Sequence, residues 1–425
     1  DLFQQGQFDL AIAVGQAVVM KQPPVEPAQA RTAWTVIAHS QFDTEDYADA
    51  ETSYYQLRNF TPADDAVAQQ EIKDRIASSI YKQGELARDA GEFDTAVAHF
   101  TRLGQAVPDS DIRATAEYDA AAVLINMAAY GQAASVLEDF RRNYPDSEYA
   151  DDITQKLAVS YLETGRGAEA AGEFERIAAD PDSTDDIKRE ALWKATELYK
   201  SANLVNDEQR VLQDIVVQYP DPIAESIEAR YRLLQIAEAS GNMHERDQML
   251  AQIVQVDATA GAQRSDRTRY LAATASLELA EPVRYRFMNL KITQPLADSM
   301  KQKKALMEEV LQVYGDAADY GIAEVTTAAT YRLGEVYQQF SRDLMDSERP
   351  TNLDEAALEQ YDMLLEEQTF PFEEKAIELY ETNASRTVDG VYDEWVKRSF
   401  DALASLLPAR YAKQERSENV VTALY

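Results

Sequence analysis

Residues 84–108 read GELARDAGEFDTAVAHFTRLGQAVP, and the order of small residue, aromatic, alanine and proline in this stretch decides the fold. Gly91, Phe93, Ala96 and Pro108 recur elsewhere at the same offsets, as Gly6-Phe8-Ala11-Pro23, Glu45-Tyr47-Ala50-Pro62 and Ala128-Tyr130-Ala133-Pro145. A unit around Gly165, Ala170 and Pro181 is one residue out, and one ending at Pro220 has Glu208 where the alanine would be. The prolines at 23, 62, 108, 145, 181 and 220 therefore mark a period of roughly 36–46 residues, filled with helix formers, which is the mark of stacked helix–turn–helix units.

Each unit is expected to hold two helices, A and B. Trp34, Ile37 and Ala38 open one helix A, and Tyr47, Ala50, Tyr54 and Leu57 follow on helix B at spacings of three and four, one apolar stripe. Helix axes pack about 8–10 Å apart, so a bulky side chain at Ala50, Ala96 or Ala133 would force A and B apart. Gly84 fits a close approach in helix A and Gly91 the turn between helices. Each proline ends helix B, because its ring removes an amide donor and clashes with the preceding turn.

The chain has 425 residues, 45% of them apolar, which is ample for a long continuous core. Ala, Leu, Glu and Gln dominate, so the fold class is all-α. Acidic residues outnumber basic ones 75 to 41, for a net charge of −34. Such a surface repels nucleic-acid phosphates and anionic lipid and favours basic partners or plain solvation. With no cysteine, disulfides, zinc–thiolate sites and thiol catalysis are excluded, and the redox compartment stays open. The longest apolar runs, near Ala11–Met20 and Ala120–Tyr130, are too short to span a bilayer. Because Asp1 falls about half-way through a repeat, the expectation is a fragment or mature portion of a longer array.

These spacings resemble tetratricopeptide repeats. Trp34, Ile37 and Ala38 stand where that pattern has Trp, Leu and Gly; Leu333-Gly334-Glu335-Val336-Tyr337 restores Leu-Gly-x-x-Tyr; Gly390, Tyr392, Phe400 and Pro408 look like a last helix B. The resemblance implies a right-handed superhelical solenoid of about ten units, the first incomplete. It divides the chain into a regular array over 1–264 and variant units with insertions over 265–425. In the second part Pro282 is expected to interrupt a helix, 283–293 (VRYRFMNLKIT) is β-prone in composition, and insertions are expected at 282–294 and 341–353.

Arg142-Asn143-Tyr144-Pro145-Asp146-Ser147-Glu148-Tyr149-Ala150-Asp151-Asp152 is similar to repeats of bacterial periplasmic tetratricopeptide proteins, among them the outer-membrane assembly lipoprotein and the Tol–Pal coordinator. Residues 370–413, with Thr326–Tyr331 and Asp346–Pro350, resemble larger proteobacterial envelope proteins, some encoded beside ExbB/ExbD-type or gliding-motility machinery. The resemblance implies a periplasmic scaffold near the outer membrane or a proton-driven complex; a cytoplasmic location fits the missing cysteine equally.

Candidate sites are few. Residues 282–304 form a basic island (Arg284, Arg286, Lys291, Lys301, Lys303, Lys304) with Tyr285 and Phe287 interleaved. It serves either to pair with the chain's own acidic helices or as a docking patch for another protein. Tyr81 and Tyr118 fall where inner-groove contacts are expected, and tyrosine is abundant, 23 against 13 phenylalanines. Tetratricopeptide proteins that clamp a terminal carboxylate use Lys and Asn where this chain has Thr35, His39, Tyr81, Tyr118 and Ala122, so that ligand is disfavoured. Asp180, Asp182, Asp185 and Asp186 start like a calcium loop, but its glycine and late glutamate are missing; a turn and N-cap is expected. His39, His99 and His244 fall in different units and read as structural. No metal, cofactor or catalytic group is expected. The functional expectation is a non-catalytic scaffold that holds partner proteins or peptides in its groove. The alternative is an envelope protein associated with carbohydrate, peptidoglycan or exopolysaccharide.

Overall fold

A computed structural model describes residues 2–413, and they are helical as expected, with no strand among them. The helices are α1 (Phe8–Val19), α2 (Pro27–Asp43), α3 (Tyr47–Phe60), α4 (Ala66–Asp89), α5 (Phe93–Ala106), α6 (Arg113–Asn126), α7 (Tyr130–Asn143), α8 (Ala150–Glu163), α9 (Gly167–Ala179), α10 (Asp185–Ser201) and α11 (Val205–Gln218). They continue with α12 (Ile223–Ser240), α13 (Met243–Thr259), α14 (Asp266–Asn289), α15 (Leu296–Ala318), α16 (Ala323–Met345), α17 (Glu355–Ser385), α18 (Glu394–Leu406) and α19 (Pro408–Tyr411). The chain divides into two compact units, Asp1–Val211 and Leu212–Tyr425, with the boundary inside α11.

In the first unit, α2 packs on α3, α4 on α5, α6 on α7 and α8 on α9, and each second helix packs on the first helix of the next pair. The alanines predicted to sit between helices, Ala50, Ala96 and Ala133, are fully buried. Around them one core runs through Tyr54, Ile76, Ile80 and Phe100, and another through Leu137, Phe140, Leu157 and Tyr161.

One backbone device builds the turns from A to B as far as α13. Two residues before the B helices α1, α3, α5, α7, α9, α11 and α13 stands a left-handed residue: Gly6, Glu45, Gly91, Ala128, Gly165, Asn203 and Gly241. At Gly91 (φ 78°) the next amide, Glu92 N–H, donates back to Ala87 C=O at 2.8 Å, while Gly91 N–H donates to Arg88 C=O. This reversal satisfies carbonyls that the end of helix A leaves open. Glu45, Ala128 and Asn203 hold the same conformation with a Cβ, at φ 65°, 58° and 56°.

The second unit pairs α12 with α13, α14 with α15 and α16 with α17. Here four expectations are corrected. Pro282 lies inside α14 and does not end it, and residues 283–289, expected to be β-prone, continue that helix. The reason is tertiary: Leu277, Ala280, Val283 and Phe287 follow helical spacing into a core with Val310, Tyr314 and Phe340, and burial outweighs local composition. Residues 341–345 likewise belong to α16, so the connection to α17 is 346–354. Finally, α18 packs against both α17 and α16, the place of a helix A and not of a last helix B. Gly390 makes the left-handed turn that precedes it.

Candidate docking surface on the A helices

The first unit opens a cavity of about 570 Å³ between two A helices. Arg31, Thr35 and His39 lie four residues apart on α2 and so share one face. Ala68, Glu71, Ile72, Asp74 and Arg75 of α4 line the opposite wall, and Tyr54 and Leu57 of α3 also line it. The cavity exists because α4 starts early, at Ala66, its N-terminus capped by Asp65, whose side chain accepts from Ala68 N–H. Arg31 reaches that same Asp65 at 3.1 Å.

Two groups in this slot, His39 and Arg75, can bond a polar ligand. His39 Nδ1 is 2.8 Å from the Tyr54 hydroxyl. Burial, with the Arg75 guanidinium adding to it, holds His39 below its ordinary 6.5, so the ring is neutral at pH 7. The Tyr54–His39 bond forms in either tautomer, with Nδ1 accepting from the hydroxyl or donating to its oxygen. Burial also pushes the Tyr54 hydroxyl up to about 12. Arg75 lies 5.7 Å from the centre of the Phe42 ring and has no ion-pair partner among the described residues. Glu71 and Asp74 add acceptors. The slot is suited to grip a polar side chain.

The tyrosines predicted to line this face are engaged between helices. Tyr81 of α4 donates to Asp119 of α6 at 2.5 Å, and Tyr118 of α6 donates to Asp152 of α8 at 2.5 Å. Tyr118 also stacks on Tyr149 with ring centres 4.3 Å apart, and Lys156 binds Asp152 at 2.8 Å. Similar pairs join Tyr161 to Glu138, Tyr199 to Glu175 and Tyr314 to Glu281. The surplus of tyrosine over phenylalanine thus has a mechanical use: the ring fills the core and the hydroxyl reaches a carboxylate of another helix.

In the second unit the basic island is spent largely on the chain's own carboxylates. Arg284 meets Glu281 at 2.8 Å, Arg286 meets Glu309 at 2.5 Å and Lys291 meets Asp343 at 3.5 Å. Phe287 is core, and Tyr285 is 70% exposed. Lys303, whose side chain is fully buried, lies 2.6 Å from Asp343 and donates to the carbonyls of Phe287 and Leu290 at 2.5 and 2.7 Å. Burial depresses its pKa, and Asp343 acts against that shift. Asp180 accepts from Asp182 N–H and Ser183 O–H, and Thr184 caps α10, as expected for a turn and N-cap.

Sequence reasoning had placed Thr35 and His39 on this face but not Arg31 and Arg75. The four-residue spacing of Arg31, Thr35 and His39 was available as a signal; the position of Arg75 opposite them depends on how α2 and α4 pack.

Residues 78–110 match the family model described as tetratricopeptide repeat. No curated protein sequence matches the chain. Among solved structures, a tetratricopeptide repeat protein from Parabacteroides merdae ATCC 43184 is similar at 11% identity, over 68% of this chain and 98% of its own, with a TM-score of 0.26. The structure of Naa15/Naa10 bound to HypK-THB is similar at 12% identity, over 96% of this chain and 62% of its own, with a TM-score of 0.32. BtubC from P. vanneervenii is similar at 16% identity, over 57% of this chain and 92% of its own, with a TM-score of 0.25. No helix among the described residues is long and apolar enough to cross a membrane. The match at 78–110, falling on the A–turn–B hairpin described above, supports a tetratricopeptide-repeat protein, and such repeats suggest a typically non-catalytic protein–protein interaction scaffold.

Proposed function

We propose that this chain is a scaffold of the bacterial cell envelope, in the periplasm, that holds a peptide or helix of a partner protein along its A-helix face. The observation that carries the groove reading is the slot between α2 and α4, where Arg75 offers donors with no carboxylate of the described residues paired to it and His39 adds a polar ring. The envelope setting is supported by the resemblance of residues 142–152 to periplasmic repeat proteins and of residues 370–413 to larger proteobacterial envelope proteins. By the same resemblance, the partners are components of ExbB/ExbD- or Tol-type complexes. The carbohydrate reading asks for free aromatic platforms on this face, whereas Tyr81 and Tyr118 are half-buried against carboxylates, so a protein partner is preferred.

The test is site-specific photo-cross-linking in envelope extract. A photoreactive residue at position 35 or 71, in the slot, is expected to trap a defined protein, and one at position 139, on the exposed side of α7, to trap none. Equal trapping from both positions, or from position 139 alone, overturns the groove assignment.

A further inference from the structure

Helix α17 shows solvent a face that combines large apolar side chains with unpaired carboxylates. Met363, Leu364 and Phe370 are 58%, 53% and 59% exposed. Met363 and Phe370 are seven residues apart, so they lie on the same side about 10 Å along the axis. The other side of the helix is used up: Leu365 and Thr369 are buried, and Phe372 packs with Phe340 and Tyr337. Helix α18 meets the C-terminal half of α17, where Asn383 donates to Ser399, and leaves the Met363–Phe370 face open.

The rim of this face has one sign. Between positions 354 and 374 there are eight carboxylates and no lysine or arginine, against a chain average that mixes both. Glu359, Glu366, Glu367 and Glu374 are exposed, and none has an ion-pair partner among the described residues. Pro371 lies inside the helix and, with no amide hydrogen, cannot make the helical bond to the carbonyl of Glu367, four residues back.

We infer that this face of α17 docks a basic amphipathic helix of a partner protein. Apolar side chains of the partner, one to two turns apart, seat on Met363, Leu364 and Phe370. Its lysines or arginines meet Glu359, Glu366, Glu367 and Glu374. The single sign of the rim excludes an anionic lipid surface and disfavours a second copy of the same face, which would bring carboxylates together. This surface is separate from the α2–α4 slot, so it stands or falls independently of the groove reading.

The probe is a labelled amphipathic peptide of leucine and lysine, about five turns long, titrated into the full chain at about 0.15 M salt and followed by fluorescence anisotropy. A Met363→Ser/Phe370→Ser double variant is expected to bind at least about tenfold more weakly. Glu366→Gln/Glu367→Gln is expected to weaken binding severalfold and to flatten its salt dependence. Val67→Ser, which removes an apolar side chain exposed on α4, is expected to change nothing. All these positions face solvent, so the fold survives, which circular dichroism checks. Unchanged affinity in the Met363/Phe370 variant would overturn the proposal, since the peptide would then be held by net charge alone. So would sedimentation showing a wild-type dimer that the same variant dissociates, since the occupant would then be a second copy.

Discussion

The ring of Phe100 fills the space that a side chain on residue 84 would need: a Cβ built on Gly84 would lie 2.6 Å from Phe100 Cε1. The same relationship recurs in the second unit, where a Cβ on Gly334 of α16 would lie 2.6 Å from Tyr380 Cε1 of α17. Both rings are fully buried, so neither can swing into solvent. Gly84→Ala is therefore expected to destabilise the first unit by about 1–3 kcal/mol, the usual cost of overpacking. Urea unfolding checks the loss, and Phe100→Leu in the Gly84→Ala background is expected to recover part of it. A neutral Gly84→Ala would mean that α4 and α5 stand further apart than described.

The turn series predicts opposite signs for opposite substitutions. An L-residue in the left-handed region costs roughly 1–2 kcal/mol, and glycine gives back part of that in chain entropy. Ala128→Gly is thus expected to raise stability by up to about 1 kcal/mol, and Gly91→Ala to lower it by a similar amount. Asn203→Gly is expected to gain less than Ala128→Gly, because asparagine tolerates this conformation. Thermal melts of the three variants rank them directly.

The repeat was legible because its determinants are local and periodic. Ala50, Ala96 and Ala133 announce close helix packing, and the prolines fall just beyond the ends of helices B, at Phe60 and Pro62 or Ala106 and Pro108. Residues 283–289 misled because valine, arginine, tyrosine and phenylalanine carry weak local preference, and only the distant partners Val310, Tyr314 and Phe340 decide that they coil as a helix. The basic island was legible as charge and not as structure. That Lys303 would be buried beneath the carbonyls of Phe287 and Leu290, at the end of α14, depends on Asp343, forty residues on and in another helix. The α2–α4 slot was half legible: the stripe of Arg31, Thr35 and His39 is in the spacing, whereas Arg75 opposite it is a matter of tertiary register.

Lys303 is the pin that holds α14, α15 and α16 together, which makes it a sensitive position. Lys303→Met leaves the buried Asp343 only the exposed Lys291, 3.5 Å away, as a cation, and losing the buried partner of such a pair costs up to about 3–5 kcal/mol. Lys303→Met/Asp343→Leu removes both charges and is expected to recover most of that. A shortfall of about 1–3 kcal/mol should persist, because the Phe287 and Leu290 carbonyls lose their donor. Hydrogen exchange in α14–α16 reads the effect locally. A double variant no better than the single one would show that the carbonyl contacts, and not the ion pair, carry the stability.

Acid should loosen the links between helices. Burial raises the pKa of Glu51, Asp152, Glu175 and Glu281, but hydrogen bonds from Arg102 and Gln83, Lys156 and Tyr118, Arg210 and Tyr199, and Arg284 and Tyr314 outweigh it, so each lies below its ordinary value. Below the ordinary carboxylate range the unfolded chain takes up protons that the folded chain resists. The stability these four supply is therefore complete above that range and is lost as pH falls below it, through their depressed folded values. Glu278 runs the other way, since burial holds it above 4.5 and acid favours its folded form. Acid also relieves the repulsion within a chain of net charge −34, so the melting curve of the wild type mixes both effects. The difference between wild type and Glu175→Gln isolates the first. That variant loses the charge that accepts two hydrogen bonds from Arg210, at 2.6 and 2.8 Å, and is expected to melt lower at pH 7. Its melting temperature should also fall less than the wild type's between about pH 5.5 and pH 3.5, so that the two curves converge. Parallel curves would show that Glu175 contributes through packing and not as a carboxylate held ionised by Arg210 and Tyr199.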